Sequence, residues 1–275
     1  MEHDLTGKGI GIAFLDTGIF PHIDFDSRIL AFKDFINHID VPYDNNGHGT
    51  HTAGIAAGNG ECSYGRYQGV APEAFIISLK VLDQYGNGDK DLVLDALNWI
   101  LVHHKQYGIR IVNISVGTTE KDYHIHKKLI DAVERVWDAG LVVVAAAGNM
   151  GPKPGSVTAP GSSRKVITVG SSDMITSALP ISGRGPTREC ISKPDIVAPG
   201  DSVVSCAVRQ GRYTAKSGTS MSTPKVSGGI ALLLEKYPWL TNVEIKSRLL
   251  ETAKDLGLPH NQQGRGLFQL NKFLA

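Results

Sequence analysis

What most limits the folding of this chain is the regular return of near-continuous apolar, β-branched runs, with helix-patterned segments between them. Gly11-Ile12-Ala13-Phe14-Leu15 is the first, and Phe75 to Leu82, Ile111 to Val116, Leu141 to Ala146 and Val166 to Gly170 follow. A strand with one wet face alternates apolar and polar residues, whereas runs this continuous suit strands covered on both faces. Helical spacing appears over Asp91 to Tyr107, with Leu92, Leu94, Ala96, Leu97, Ile100 and Leu101, and again over Lys127 to Ala139. Strands alternating with helices imply a mostly parallel sheet joined by right-handed crossovers and flanked by helices, a three-layer α/β fold.

With 275 residues, 41% of them hydrophobic, the chain can bury a substantial core. It contains no internal repeat, low-complexity tract or Pro/Gly/Ser linker, so residues 1–275 read as one domain. The net charge of +1 gives no pull toward nucleic acid or an anionic membrane surface. No apolar stretch approaches the roughly 20 residues that span a bilayer. The N-terminal stretch Met1 to Gly9 is polar and lacks the apolar core of a signal peptide, so the chain reads as leaderless or as trimmed of upstream sequence. Cys62, Cys190 and Cys206 are odd in number and form no Cys-x-x-Cys pair. They fit free thiols in a reducing, cytoplasmic setting better than a disulfide framework. A single bridge in a secreted mature domain, its signal and propeptide missing from this chain, is the alternative.

Three short strings carry chemistry. Asp16-Thr17-Gly18 closes the first apolar run, and functional residues of such sheets gather beyond the carboxyl ends of strands. An Asp there can also merely cap a loop. His48 lies in Asp44-Asn45-Asn46-Gly47-His48-Gly49-Thr50-His51, where Asn46-Gly47 can turn the chain and a small-residue helix can begin. His48 and His51 could suggest a metal site, but no third ligand is placed by sequence, and a general base is the better reading. Ser220, in Gly218-Thr219-Ser220-Met221, precedes Val226, Ile230, Leu233 and Leu234 at helical spacing. It therefore sits near a helix N-terminus, where unpaired amides and the dipole favour negative charge, although a lone Ser there is an ordinary cap.

Taken together and in this order, the acid, base and nucleophile strings resemble the subtilisin-like serine proteases, the subtilases, over nearly the whole chain. A fourth string, Ala145-Ala146-Ala147-Gly148-Asn149, is similar to the subtilase Ala-Gly-Asn signature. The resemblance implies that Asp16 orients His48, that His48 activates Ser220, and that Asn149 joins the Ser220 N–H in an oxyanion hole. On its own, Asn after Gly is a turn residue. The sequence departs from the family at Ser222 and Lys225, where Ala and His are usual. Segment Gly58 to Gln68, with the Val70-Ala71-Pro72 that follows, looks most like the leaderless, AprX-type branch.

The resemblance further implies that an extended peptide is bound as an added strand. Ser115, Val116 and Gly117 would flank it on one side and Gly86, Asn87 and Gly88 on the other; the latter also reads as a plain surface turn. Ala146, Ala147 and Gly148 would wall the P1 pocket, with Met150 and Thr219 beside it. Small walls and an apolar Met150 imply a large apolar or aromatic P1 residue, and no acidic pocket for basic residues is evident.

The chemistry implied needs no cofactor. Many subtilases hold structural calcium after the His helix, but Gly58 to Gln68 has a single carboxylate, Glu61, so calcium has no location here beyond backbone carbonyls. Expected partners are peptide or protein substrates, with an N-terminal propeptide or a protein inhibitor in addition. A peptide-binding protein with the same fold but no turnover is the rival, although such relatives usually lose a triad residue. An esterase is a weaker one, because its Gly-x-Ser-x-Gly elbow would precede the acid and the His.

Overall fold

In the computed structural model, residues 5–118, 123–178 and 180–275 are described. In chain order the elements are β1 (Gly11–Asp16), β2 (Ile29–Asp34), α1 (His48–Ala57), β3 (Phe75–Lys80), α2 (Lys90–His103), β4 (Ile109–Ile114), α3 (Tyr123–Asp138), β5 (Val142–Ala146), β6 (Ile167–Ser171), β7 (Ile196–Ala198), β8 (Val203–Cys206), β9 (Tyr213–Lys216), α4 (Thr219–Lys236), α5 (Asn242–Glu251), α6 (His260–Gln263) and α7 (Leu270–Leu274). Two compact units emerge, one of Met1–Asn113, Val204–Ala215 and Ser227–Leu240, the other of Ile114–Val203, Lys216–Val226 and Thr241–Ala275.

In the first unit the strands run in the order β2-β3-β1-β4. β1 pairs with β3 in parallel, from Gly11 opposite Phe75 to Asp16 opposite Lys80. All six residues of β1 are buried, as expected for a strand covered on both faces. β3 stops at Lys80 rather than Leu82 because the amides of Val81 and Leu82 both turn to Asp16 O, at 3.0 and 3.2 Å. β2 escaped the sequence reading: it is an edge strand, mostly half-buried, with Leu30 exposed, so it lacks the apolar continuity of the inner strands. α2 is capped by the Asp89 side chain, which accepts from Asp91 N, and it buries Val93, Ala96, Leu97 and Ile100. It ends at His103, short of the expected Tyr107, where Ile109 N–H bonds His104 O at 2.8 Å and starts β4 early. β8 and β9 form a separate two-stranded sheet.

In the second unit the order is β5-β6-β7, all parallel. β5 and β6 are buried throughout, and α3 covers its unit with Leu129, Ala132, Val133 and Val136. α5 begins with a reciprocal capping box between Thr241 and Glu244. α4 carries Pro224 inside its span. Among the described residues no helix is long and apolar enough to cross a membrane.

Candidate active site

The first unit assembles the acid and the base. Asp16 ends β1 and is almost wholly buried. Its Oδ1 accepts the Thr17 N–H at 2.7 Å and faces His48 Nδ1, also at 2.7 Å. Its Oδ2 accepts the Thr52 hydroxyl at 3.1 Å. The contact selects the tautomer in which His48 Nδ1–H donates to the carboxylate and Nε2 remains the basic nitrogen. His48 is the first residue of α1, entered through Gly47 at φ 93, a left-handed turn that glycine adopts without strain.

Asp44 holds this corner together. Its Oδ1 accepts from the Thr17 hydroxyl at 2.9 Å, from Gly47 N at 2.8 Å and from Asn46 N at 3.0 Å. Its Oδ2 accepts from Thr50 N and Oγ1 at 2.9 and 2.6 Å. Burial pushes the Asp44 carboxyl up, but the hydrogen bonds from Thr50, Gly47 and Asn46 outweigh it and hold the group below the usual carboxylate range. The Thr17 hydroxyl meanwhile accepts from Gly49 N at 2.9 Å, so one carboxylate and one hydroxyl link the Asp16 turn to the start of α1. Behind them the buried Lys80 Nζ donates to Thr17 O, Leu82 O and Asn45 Oδ1 at 2.5, 2.8 and 3.0 Å. Burial pushes the Lys80 ammonium down, and Asp44 and Asp34 pull it back in part. His51 is a packed helix residue, fully buried with Nε2 at 3.0 Å from Thr214 O.

Gly86, Asn87 and Gly88 lie in an exposed turn in which the Asp83 carboxylate accepts Tyr85 N and Asn87 N, at 2.8 and 2.9 Å. In Gly58 to Gln68, Asn59 Oδ1 accepts Glu61 N at 2.9 Å and Ser63 Oγ accepts Tyr67 N at 3.0 Å. These contacts do not describe an oxygen cage fit for calcium.

The second unit assembles the nucleophile and the amide donor. Ser220 is the second residue of α4 and largely buried, and its hydroxyl donates to Ser115 O at 2.9 Å. Ser115 Oγ in turn donates to Ser220 O at 3.2 Å. Asn149 Oδ1 accepts both the N–H and the hydroxyl of Thr219, at 3.0 and 3.1 Å. With the oxygen fixed, the Nδ2 donor lies beside Gly218, where an added Cβ would come within 3.1 Å of it. Thr219 Oγ1 also accepts Gly148 N at 3.2 Å. Ala146 and Ala147 are buried, Gly148 half-buried and Met150 exposed.

Gly117 and Gly148 both pack against Thr158, too closely for a Cβ at either position. Val116, between Ser115 and Gly117, is half-buried, and Thr118 bridges Ala159 antiparallel through its N–H at 2.9 Å. At the two departures from the family, Ser222 Oγ donates to Ala198 O at 2.8 Å, and burial pushes the Lys225 ammonium down against Asp173.

Sequence reasoning missed Asp44, Thr17, Thr52, Lys80 and Thr158. Only Asp44 carried a signal, as an acid four residues before the first helical residue. The others lie in apolar or small-residue runs whose partners are remote in sequence.

The sequence profile of the Subtilase family, Peptidase_S8, matches residues 7–266, and the chain belongs to that family. It is 41% identical to "Serine protease AprX" of Bacillus subtilis (strain 168) over 276 residues, 91% of this chain and 62% of that protein. It is 36% identical to "Minor extracellular protease Epr" of the same strain, over 96% of this chain and 38% of that one. The chain therefore spans less than two thirds of the length of these relatives. A solved structure described as a cold adapted subtilisin-like serine proteinase superposes with a TM-score of 0.78 at 29% identity, covering 97% of this chain and 89% of that one. The fold is thus the subtilisin-like, three-layer α/β architecture of a mostly parallel sheet flanked by helices, and the chain is of the AprX type among the subtilases.

Proposed function

We propose that residues 1–275 act as one peptidase domain, a serine endopeptidase that hydrolyses peptide bonds through an acyl-enzyme. The observation that carries this reading is His48 Nδ1 at 2.7 Å from a buried Asp16 carboxylate, because it leaves Nε2 as an oriented base. Ser220 Oγ attacks the scissile carbonyl carbon while His48 Nε2 takes the hydroxyl proton. Asn149 Nδ2–H and the Ser220 N–H receive the oxyanion, and each such donor is worth about 2.7–4 kcal/mol in the barrier. The tetrahedral intermediate collapses as His48 returns the proton to the leaving amine. Water then repeats the sequence on the ester and frees Ser220.

The substrate is read as an extended peptide strand along Ser115–Gly117, with Gly86–Gly88 on its other side. A large apolar P1 residue is accepted beside Ala146, Ala147 and Gly148, and basic P1 residues are disfavoured. The chemistry uses side chains and backbone alone. A propeptide or protein inhibitor would occupy the same peptide track. The odd number of cysteines, with no Cys-x-x-Cys pair, favours a reducing, cytoplasmic compartment over a secreted one.

The test combines a serine-directed fluorophosphonate with a peptide bearing Phe or Leu at P1. Modification of Ser220, found by mass spectrometry, and loss of cleavage in Ser220→Ala are expected. Cleavage at the original rate by Ser220→Ala would sink the assignment.

A further inference from the structure

Away from the residues assigned to proteolysis, the first unit buries three side chains of different donor type at one point. His22 and Asp24 stand on the turn between β1 and β2, and Cys206 ends β8; their side chains are at most 2% exposed. The imidazole nitrogen, carboxylate oxygen and thiol sulfur all lie within 4.8 Å of one another. Asp24 Oδ1 is 3.7 Å from His22 Nδ1, and Asp24 Oδ2 is 3.7 Å from Cys206 Sγ. A tetrahedral zinc ion, with bonds of about 2.0 Å to N and O and about 2.3 Å to S, sets donor separations of about 3.3 Å (N to O) and about 3.5 Å (S to O). The two separations, each to a different oxygen of the Asp24 carboxylate, are within about 0.2–0.4 Å of that spacing, and all three donors lie inside 4.8 Å.

The surroundings hold each group as such a site requires. His22 Nε2–H donates to Arg212 O at 3.1 Å, which leaves the Nδ1 lone pair facing Asp24. A ring nitrogen tied to a backbone carbonyl is the usual support of a metal-binding imidazole. Nδ1 accepts the Asp24 N–H at 3.1 Å, and a cation bound at this nitrogen would take that lone pair in its place. Tyr213 donates its hydroxyl to Asp24 Oδ2 at 2.8 Å, and Cys62 donates its N–H to Oδ1 at 3.2 Å, so the carboxylate is fixed from both sides. Gly54 of α1 lies against Cys206, where an added Cβ would come within 2.8 Å of Sγ. The cluster thus ties the β1–β2 turn, the β8–β9 hairpin and α1 together.

We propose that His22, Asp24 and Cys206 form a structural site for a thiophilic divalent cation of the zinc type. The mixed N, O and S donor set selects zinc, cobalt(II) or cadmium over calcium or magnesium, which take oxygen ligands. Binding exchanges the Cys206 thiol proton for the cation and releases one proton to solvent. The fourth position is left for water. Because the donors lie outside the proposed triad, the site fastens the fold without taking part in peptide hydrolysis.

The test uses the whole chain carrying Cys62→Ser and Cys190→Ser, so that Cys206 is the sole thiol. It is expressed with cobalt(II) or cadmium and compared with protein stripped by a chelator. One equivalent of metal is expected, with a thiolate-to-metal charge-transfer band and, for cobalt, the visible spectrum of a tetrahedral ion. The melting temperature should rise by several degrees with metal. Cys206→Ala and His22→Gln should each lose the band and the thermal gain while keeping the chelated parent's circular dichroism. If either variant fails to fold, X-ray absorption of the cobalt-loaded parent decides by showing, or failing to show, one sulfur and one imidazole bound. No charge-transfer band in folded parent protein, or a band that persists in Cys206→Ala or His22→Gln, would overturn the proposal. None of these readouts depends on proteolysis.

Discussion

Thr219 donates both its backbone N–H and its hydroxyl to the side-chain oxygen of Asn149, at 3.0 and 3.1 Å. The amide is thereby held oxygen-inward and its Nδ2 donor is committed to the side of Gly218. Thr219 is therefore a positioning residue, acting through Asn149. Replacing it by valine removes the hydroxyl bond to Asn149, along with the acceptor of Gly148 N, and leaves the backbone bond to Asn149 in place. Turnover of a peptide ester by Thr219→Val should fall about tenfold with KM little changed, against a loss of about 10²–10³ for Asn149→Ala. Combining the two should cost no more than Asn149→Ala alone, because both act on one donor. Additive losses would show that Thr219 contributes by another route.

Asp44 accepts five hydrogen bonds around the first turn of α1. Asp44→Ala leaves those donors without an acceptor in a buried turn, and an unsatisfied buried group costs about 1–3 kcal/mol. A loss of at least about 3 kcal/mol in urea unfolding is expected, with kcat reduced because His48 stands on the same turn. Asp44→Asn keeps the acceptor oxygen for part of the network and should fall between. An unfolding midpoint unchanged in Asp44→Ala would show that water replaces the carboxylate at little cost.

How much of this was legible beforehand follows from where each signal resides. The inner strands β1, β3, β4, β5 and β6 are buried on both faces, so they advertise themselves as continuous apolar runs. β2 at the edge, the three-residue β7 and the β8–β9 hairpin do not. Asp16, His48, Asn149 and Ser220 could be singled out because each lies in a short local string at or just beyond a strand end or helix start. Thr52 and Thr219 act through hydrogen bonds to groups that sequence does not place near them; the Asp24 partners Tyr213 and Cys206 lie more than 180 residues away.

Thr158 presents a related case. Its Oγ1 is buried and has no hydrogen-bond partner among the described residues, and it fills the space against Gly117 and Gly148. A buried hydroxyl without a partner is a net cost that a methyl of similar shape removes. Thr158→Val should stabilise the protein by up to about 1 kcal/mol, read as a higher melting temperature. A lowered melting temperature would mean that the hydroxyl is satisfied by an ordered water.

The last prediction concerns pH. Lys193 is fully buried, and its Nζ donates to Val166 O at 3.0 Å and to Asp195 Oδ2 at 2.5 Å. Lys246 also approaches Asp195, at 3.2 Å from Oδ1. Burial pushes the Lys193 ammonium down to about 8, with Asp195 opposing the shift and Lys246 adding to it. Its folded value therefore lies below its ordinary value of 10.5. Between these two values the unfolded chain binds the proton and the folded chain has released it, so stability rises with pH across that window. Below about 8 both states carry the proton, and the cost of burying the charge is present in full. Lys193→Met removes this dependence. Relative to that variant, the parent should gain on the order of 2 kcal/mol of unfolding free energy from pH 8 to pH 10.5. Urea titrations of both proteins at pH 7.5, 9 and 10.5 measure the difference, and parallel pH curves would show that the folded state keeps Lys193 charged throughout.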